Sequence, residues 1–100
     1  MARLLYYNKE VFGEFIREGR IWEVSRSEKF PEGIKYIFVL VYGGRRILGY
    51  DNNLGEGHHR HFKNEKLPLQ INSAEEIFRL LENFTNESNN IIKSKGDGFD

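Results

Sequence analysis

Ile34-Lys35-Tyr36-Ile37-Phe38-Val39-Leu40-Val41-Tyr42, then Gly43-Gly44, then Arg45-Arg46-Ile47-Leu48-Gly49-Tyr50, is the stretch that decides the fold. The first segment is almost wholly β-branched or aromatic, as expected of a strand in the middle of a sheet. Two adjacent glycines suit a two-residue hairpin turn, whose backbone angles are positive and cost glycine no steric penalty. Regular antiparallel pairing from that turn sets Tyr42 opposite Arg45, Leu40 opposite Ile47, Phe38 opposite Gly49, Ile37 with Tyr50, and Tyr36 opposite Asp51. Tyr36 and Asp51 then share the open end of the hairpin. There the chain enters Asn52-Asn53-Leu54-Gly55-Glu56-Gly57 and runs straight into His58-His59-Arg60-His61.

Working outward, His58 to Lys63 reads as a further short strand, which puts His59 and His61 on one face and His58 and Arg60 on the other. Upstream, Phe30-Pro31-Glu32-Gly33 is a turn signal. Val11 to Arg26 reads as two strands, because Gly13 and Gly19 interrupt any long helical pattern, and Trp22 is assigned to the core. A helix over residues 8–18, with Phe12, Phe15 and Ile16 on one side, is the alternative. Downstream of a break at Leu67-Pro68, Ser73 and Glu76 have capping-box spacing, and Ile77, Leu80, Leu81 and Phe84 form an apolar stripe. The spacing predicts a helix from Ser73 to Glu87, with Phe78 off the stripe. The expected fold is α+β: an antiparallel sheet of four to five strands with the C-terminal helix packed on one face. Residues 1–87 form the expected single domain, and residues 88–100 a mobile tail. Within that tail Ile91, Ile92 and Phe99 are apolar enough to dock on a second subunit, which leaves a homodimer open.

Composition narrows the function classes. A chain of 100 residues has too little sequence for two independent cores. Its 39% hydrophobic and 14% aromatic content supplies one core, and its 30% charge marks a solvated surface. No apolar run approaches the roughly 20 residues of a membrane span. There is no extended apolar leader and no cysteine, and a cytoplasmic location fits both absences. The net charge is zero, yet residues 33–66 carry six basic against three acidic groups, and this segment holds all three histidines. A polyanion would meet a locally positive surface there.

Imidazole gains or loses a proton near neutral pH, so paired histidines can supply the base and the acid of phosphodiester cleavage in RNA. His59 and His61 are the expected pair. Arg60 is the expected phosphate ligand, and Asp51 the group that orients a ring by accepting its N–H. If Arg60 points away, Arg45, Arg46 or Lys35 can serve the phosphate. Tyr36, Tyr50, Asn52 and His58 complete the candidate substrate-binding set, although Tyr50 is equally a core residue, and Asp51 and Asn52 are common turn residues. Three other readings stay open: solvated loop histidines, a transition-metal site with Asp51, and a non-catalytic binding surface. No metal or cofactor is expected, since HExxH is absent and Gly55-Glu56-Gly57 is too short for a nucleotide loop. The predominance of strands also argues against a recognition helix for DNA.

From about Arg20 to Phe84 the chain resembles the TumE-type toxins of bacterial and archaeal toxin-antitoxin systems. The markers, in order, are Arg20-Ile21-Trp22-Glu23-Val24, Gly33-Ile34-Lys35-Tyr36, Arg45-Arg46-Ile47-Leu48-Gly49-Tyr50-Asp51-Asn52 and Gly57-His58-His59-Arg60-His61. Members often read Asp-His-Arg-His at the last motif, so His58 stands where an acidic residue is common. Leu67-Pro68-Leu69-Gln70 departs from a more aromatic segment. The resemblance implies a toxin encoded beside a helix-turn-helix antitoxin that neutralises it by direct binding, and RNA cleavage would be in keeping with many such toxins.

Overall fold

The computed structural model describes residues 2–96. Six strands and one helix follow one another: β1 (Arg3–Phe12), β2 (Phe15–Glu23), β3 (Ile34–Tyr42), β4 (Arg45–Asp51), β5 (His59–Phe62), β6 (Glu65–Pro68) and α1 (Ala74–Gly96). The strands lie in sequence order in one antiparallel sheet, and α1 packs against β2, β3 and β4 on one face. The α+β expectation holds, with more strands than expected. Val11 to Arg26, expected as two strands, holds the end of β1 and the single strand β2, and Arg3 to Phe12 is extended throughout, so the helical alternative over residues 8–18 does not form. The added strand is β6, an edge strand that ends in Pro68 where a break was expected. An edge position tolerates proline because its missing N–H removes no ladder bond on the outer side.

β3 sets the layering by alternation. Ile34, Tyr36, Phe38 and Leu40 are buried toward α1, where Ile77, Leu80 and Phe84 meet them. Lys35, Ile37, Val39 and Val41 point to the opposite face and are only half-buried. Gly19, read from sequence as an interruption, lies inside β2 and serves this packing. A Cβ there would stand 3.2 Å from the Tyr6 ring and 3.4 Å from the Phe38 ring.

The hairpin forms at Gly43-Gly44, with φ of 56° and 82°, and Tyr42 pairs with Arg45 as expected. The expected register also holds for Val41 opposite Arg46, and beyond that pair it fails. A β-bulge leaves Ile47 unpaired, so Leu40 faces Leu48, Phe38 faces Tyr50 and Ile37 faces Asp51. Tyr36 therefore does not face Asp51. The physical reason is burial. The shift sends the large side chains of Leu48 and Tyr50 to the helix side, which strict alternation from the turn would have paired with Val39 and Ile37 on the other face.

Ser73 caps α1 as its spacing suggests, its Oγ accepting the Glu76 N–H at 3.3 Å, while the Glu76 carboxylate accepts the Asn72 N–H. The helix does not end at Glu87. It runs on to Gly96, which corrects the expected tail over its first part. Arg17 of β2 explains the difference. It is buried, and its guanidinium donates to Ser88 Oγ, Asn89 Oδ1 and the Thr85 carbonyl, holding as helix a Ser-Asn-Asn run of weak intrinsic propensity. Ile91 and Ile92 pack against the core from the same extension. Residues 97–100, including Phe99, lie outside the described residues. Among the described residues no helix is long and apolar enough to cross a membrane.

Candidate functional site

The sheet face opposite α1 carries the histidine chemistry. Because β5 is regular and pairs with β4, His59 lies opposite Asp51 and His61 opposite Gly49. Alternation turns all of them to the open face. The bulge adds a cation. In an unbroken strand Arg46 would share a face with Leu48 and Tyr50, but the extra residue at Ile47 puts it with Gly49 and Asp51. Gly49 then leaves room for Arg46 to lie across the strand. A Cβ at Gly49 would sit 3.3 Å from Arg46 Cδ and 3.9 Å from His61 Cβ.

His61 is held on both ring nitrogens. Nε2 stands 3.0 Å from Asp51 Oδ2, and an Arg46 N–H points at Nδ1 over 3.2 Å. A guanidinium only donates, so Nδ1 must accept, and the ring is the neutral tautomer with its proton on Nε2 facing the carboxylate. The pKa agrees in direction: burial holds it below the ordinary histidine value, the Arg46 charge lowers it further, and Asp51 pulls it back up. Asp51 is itself steadied by the Asn53 N–H at 3.3 Å. The His59 ring is 6.4 Å from that of His61, and Lys66 on β6 pairs opposite His61. Two imidazoles, a carboxylate behind one of them and two neighbouring cations are the groups that acid-base chemistry on an anionic substrate would use.

The other expected residues are distributed differently. Arg60 faces α1, where its guanidinium pairs with Glu87 and donates to Tyr50 Oη at 3.2 Å, while Tyr50 donates to Glu87 at 2.6 Å. Tyr50 is a core residue whose hydroxyl pKa burial raises, with Glu87 adding to the effect. His58 also leaves the cluster. Its Nδ1 lies 2.9 Å from Tyr36 Oη and its Nε2 lies 3.2 Å from Glu32, both side chains being nearly enclosed. The Tyr36 hydroxyl is driven well above its ordinary pKa by burial, and the charges of Asp51 and Glu32 act the same way, so it remains a donor at any working pH. Asn52 is buried, accepting the Tyr36 N–H at 2.9 Å and donating to the Ile34 carbonyl at 2.8 Å, so it extends the ladder where β4 ends. Arg45 stays beside the turn, opposite Tyr42.

Lys35 does lie on the open face, with its ammonium 5.4 Å from the Trp22 ring. Trp22, assigned to the core from sequence, is half-exposed there. Lys66 was not singled out in sequence, and neither was Arg20, whose guanidinium sits 4.7 Å over the Tyr7 ring. Their alternation with the open-face residues of neighbouring strands was the available signal. Among the described residues no group of three or more histidine, aspartate or glutamate side chains converges as a metal site would.

A family model described as Toxin TumE matches residues 3–92, nearly the whole chain. No curated protein and no solved structure matches.

Proposed function

The chain belongs to the TumE toxin family, and we propose that this toxin is an endoribonuclease centred on His61, Asp51, Arg46 and His59. Family membership makes it the toxin of a toxin-antitoxin pair; the reaction is our reading. It rests on one observation, the His61 ring held between Asp51 and Arg46.

When a phosphodiester arrives, the guanidinium of Arg46 turns from Nδ1 to the phosphate oxygens, which it suits by its planar pair of donors. That movement uncovers the Nδ1 lone pair. His61 then takes the proton of the ribose 2′-hydroxyl, and Asp51 stabilises the imidazolium that forms, as a carboxylate does behind a catalytic histidine. The 2′-oxygen attacks phosphorus, the bond to the 5′-oxygen breaks, and a protonated His59 supplies the proton to the leaving oxygen. Lys66 and Arg46 balance charge on the phosphoryl group. Arg60 plays no part in this scheme, because it is engaged on the other face. The expected partner is a helix-turn-helix antitoxin, and the expected compartment is the cytoplasm.

Incubating the pure protein with end-labelled RNA tests the scheme. Cleavage should persist with a chelator and stop when the nucleotide 5′ to the cut carries a 2′-deoxyribose. It should fall by at least about a hundredfold in His61→Ala, the usual scale of a lost general base. Undiminished cleavage by a folded His59→Ala/His61→Ala double variant refutes it. Salt-sensitive binding without any product would leave only a binding module.

A further inference from the structure

We propose that the open sheet face is a track for single-stranded RNA, on which Trp22 with Lys35 and Tyr7 with Arg20 receive the nucleotides that flank the cleaved bond. The inference rests on the ribonuclease reading of the His61 site and concerns how the rest of the strand is held.

The ladder pairs Asp51 with Ile37, Ile37 with Arg20, and Arg20 with Tyr7, so one straight row crosses β4, β3, β2 and β1 from the catalytic carboxylate to the far edge. Strands about 4.8 Å apart put Tyr7 roughly 14 Å from Asp51 along that row. Lys35 and Trp22 face each other in the next row on this face, two residue pairs further toward the sheet end. α1 packs only on the reverse side, and among the described residues no second layer of secondary structure covers this one. Such a face is long enough for several nucleotides.

Its chemistry matches one occupant. The strand positions directed to this face include Lys9, Arg20, Lys35, Arg46 and Lys66 against Glu18 and Asp51, an excess of cations on a chain of zero net charge. The apolar element includes two aromatic rings beside cations, Tyr7 keeping 48% of its surface in water, while the more exposed Leu4 and Val11 lie at the two ends of the outer strand. Each ring already has a cation beside it, at 4.7 Å for Tyr7 and 5.4 Å for Trp22. A nucleotide presents the complementary pair of a flat base and an anionic phosphate. Bases stack on rings and on guanidinium planes without regard to sequence, provided they are not paired in a duplex. Single-stranded RNA is therefore the polyanion this face selects. An acidic protein would use the cations and leave the rings idle.

The test separates binding from cleavage by using a labelled 2′-O-methyl RNA oligonucleotide, which lacks the nucleophilic hydroxyl and stays intact. Fluorescence anisotropy with the full chain should give saturable, salt-sensitive binding, with the same sequence as a duplex bound at least about tenfold more weakly. Trp22→Ala and Tyr7→Ala should each weaken binding about tenfold, the usual loss of one stacking partner, and Trp22→Phe should restore most of it. Lys35→Glu should lower the slope of log affinity against log salt by about one or more. Tyr7 is exposed on an edge strand, so its variant keeps the test decisive if Trp22→Ala does not fold. The proposal is overturned if the single strand does not bind, if duplex binds as well, or if the aromatic variants bind unchanged. It is also overturned if those variants lose only the antitoxin. Should the oligonucleotide bind as described while natural RNA is never cut, the ribonuclease reading fails and the track stands. Cleavage of natural RNA with unaltered oligonucleotide binding in the variants removes the track and leaves the ribonuclease in place.

Discussion

Arg60 sits at the centre of the His-Arg-His motif, and replacing it by methionine asks whether it works on substrate or on the fold. Its guanidinium is about a quarter exposed, the Glu87 carboxylate about a third, and Tyr50 Oη completes the cluster. A charge-assisted hydrogen bond is worth about 1.5–3 kcal/mol when well enclosed, while fully exposed ion pairs contribute about 0–1 kcal/mol. This partly exposed pair falls between, so Arg60→Met should cost about 1–2 kcal/mol, methionine keeping an apolar stem of similar length but not the guanidinium that stands 5.9 Å from the Tyr50 ring and 5.4 Å from the Phe62 ring. At about 4–8 °C per kcal/mol for a domain of this size, the midpoint should fall by roughly 5–15 °C. Part of the loss is the stranded Glu87 carboxylate, so Arg60→Met/Glu87→Leu should recover about half of it. Calorimetry on the single and double variants gives these figures, and RNA cleavage well below the lowered midpoint should stay within about threefold of the parent. A variant that melts like the parent yet no longer cleaves would show that Arg60 acts on substrate, and the face assignment from strand alternation would be wrong.

The acid limb gives a second check. The folded pKa of His61 is lowered from 6.5, so the stability tied to its neutral form is fully present above that value and is lost as pH falls through the folded pKa. Moving from about pH 7.5 to 5.5, His61→Gln should lose less thermal stability than the parent, and equal losses would contradict the assignment. Arg46→Ala should raise the His61 pKa in an NMR titration, since Arg46 is the larger of the charges depressing it; no upward movement would mean that the contact is not made in solution. Asn52→Ala strands the Tyr36 N–H and the Ile34 carbonyl and should cost about 2–4 kcal/mol in denaturant unfolding, whereas a fall in activity at unchanged stability would mark Asn52 as a substrate ligand. Gly19→Ala should destabilise by about 1 kcal/mol, because the new methyl group would stand 3.2 Å from the Tyr6 ring, with the buried Phe38 ring 3.4 Å away on its other contact; a more stable variant would refute the packing role.

How legible each part was depended on the range of the interaction behind it. The central hairpin could be read because its signals are local: β-branched density over Ile34 to Tyr42, then two glycines that must take positive φ. The helix start could be read for the same reason. Its end could not, because Ser88-Asn89-Asn90 stays helical through Arg17, which is about seventy residues away along the chain. Trp22 was misplaced by composition. A lone tryptophan usually belongs to a core, but its strand neighbour Ile21 took the buried face. His59 and His61 were legible as a pair since alternation within a short strand needs no distant partner. His58 was separable from them on the same ground, though its engagement with Tyr36 and Glu32 was not foreseeable.

The identity of the site's cation turned on one unpaired residue. Pairing counted from a turn is correct only until the first irregularity, and a one-residue slip sends every later side chain to the other face. Here the competing demands were a good local ladder and a good core. The core prevailed: Leu48 and Tyr50 went beneath α1, Ile47 was left over in the bulge, and Gly49 and Asp51 were turned outward. The same displacement brought Gly49 and Asp51, with His61 beside them, to the face that Arg46 occupies opposite Val41, and it set a residue without a Cβ where Arg46 crosses. Core packing and the assembly of the site are therefore one event in this fold. A change at Leu48 or Tyr50 that relaxes the need for the bulge acts on Arg46 as directly as a change of Arg46 itself, although neither side chain reaches the open face.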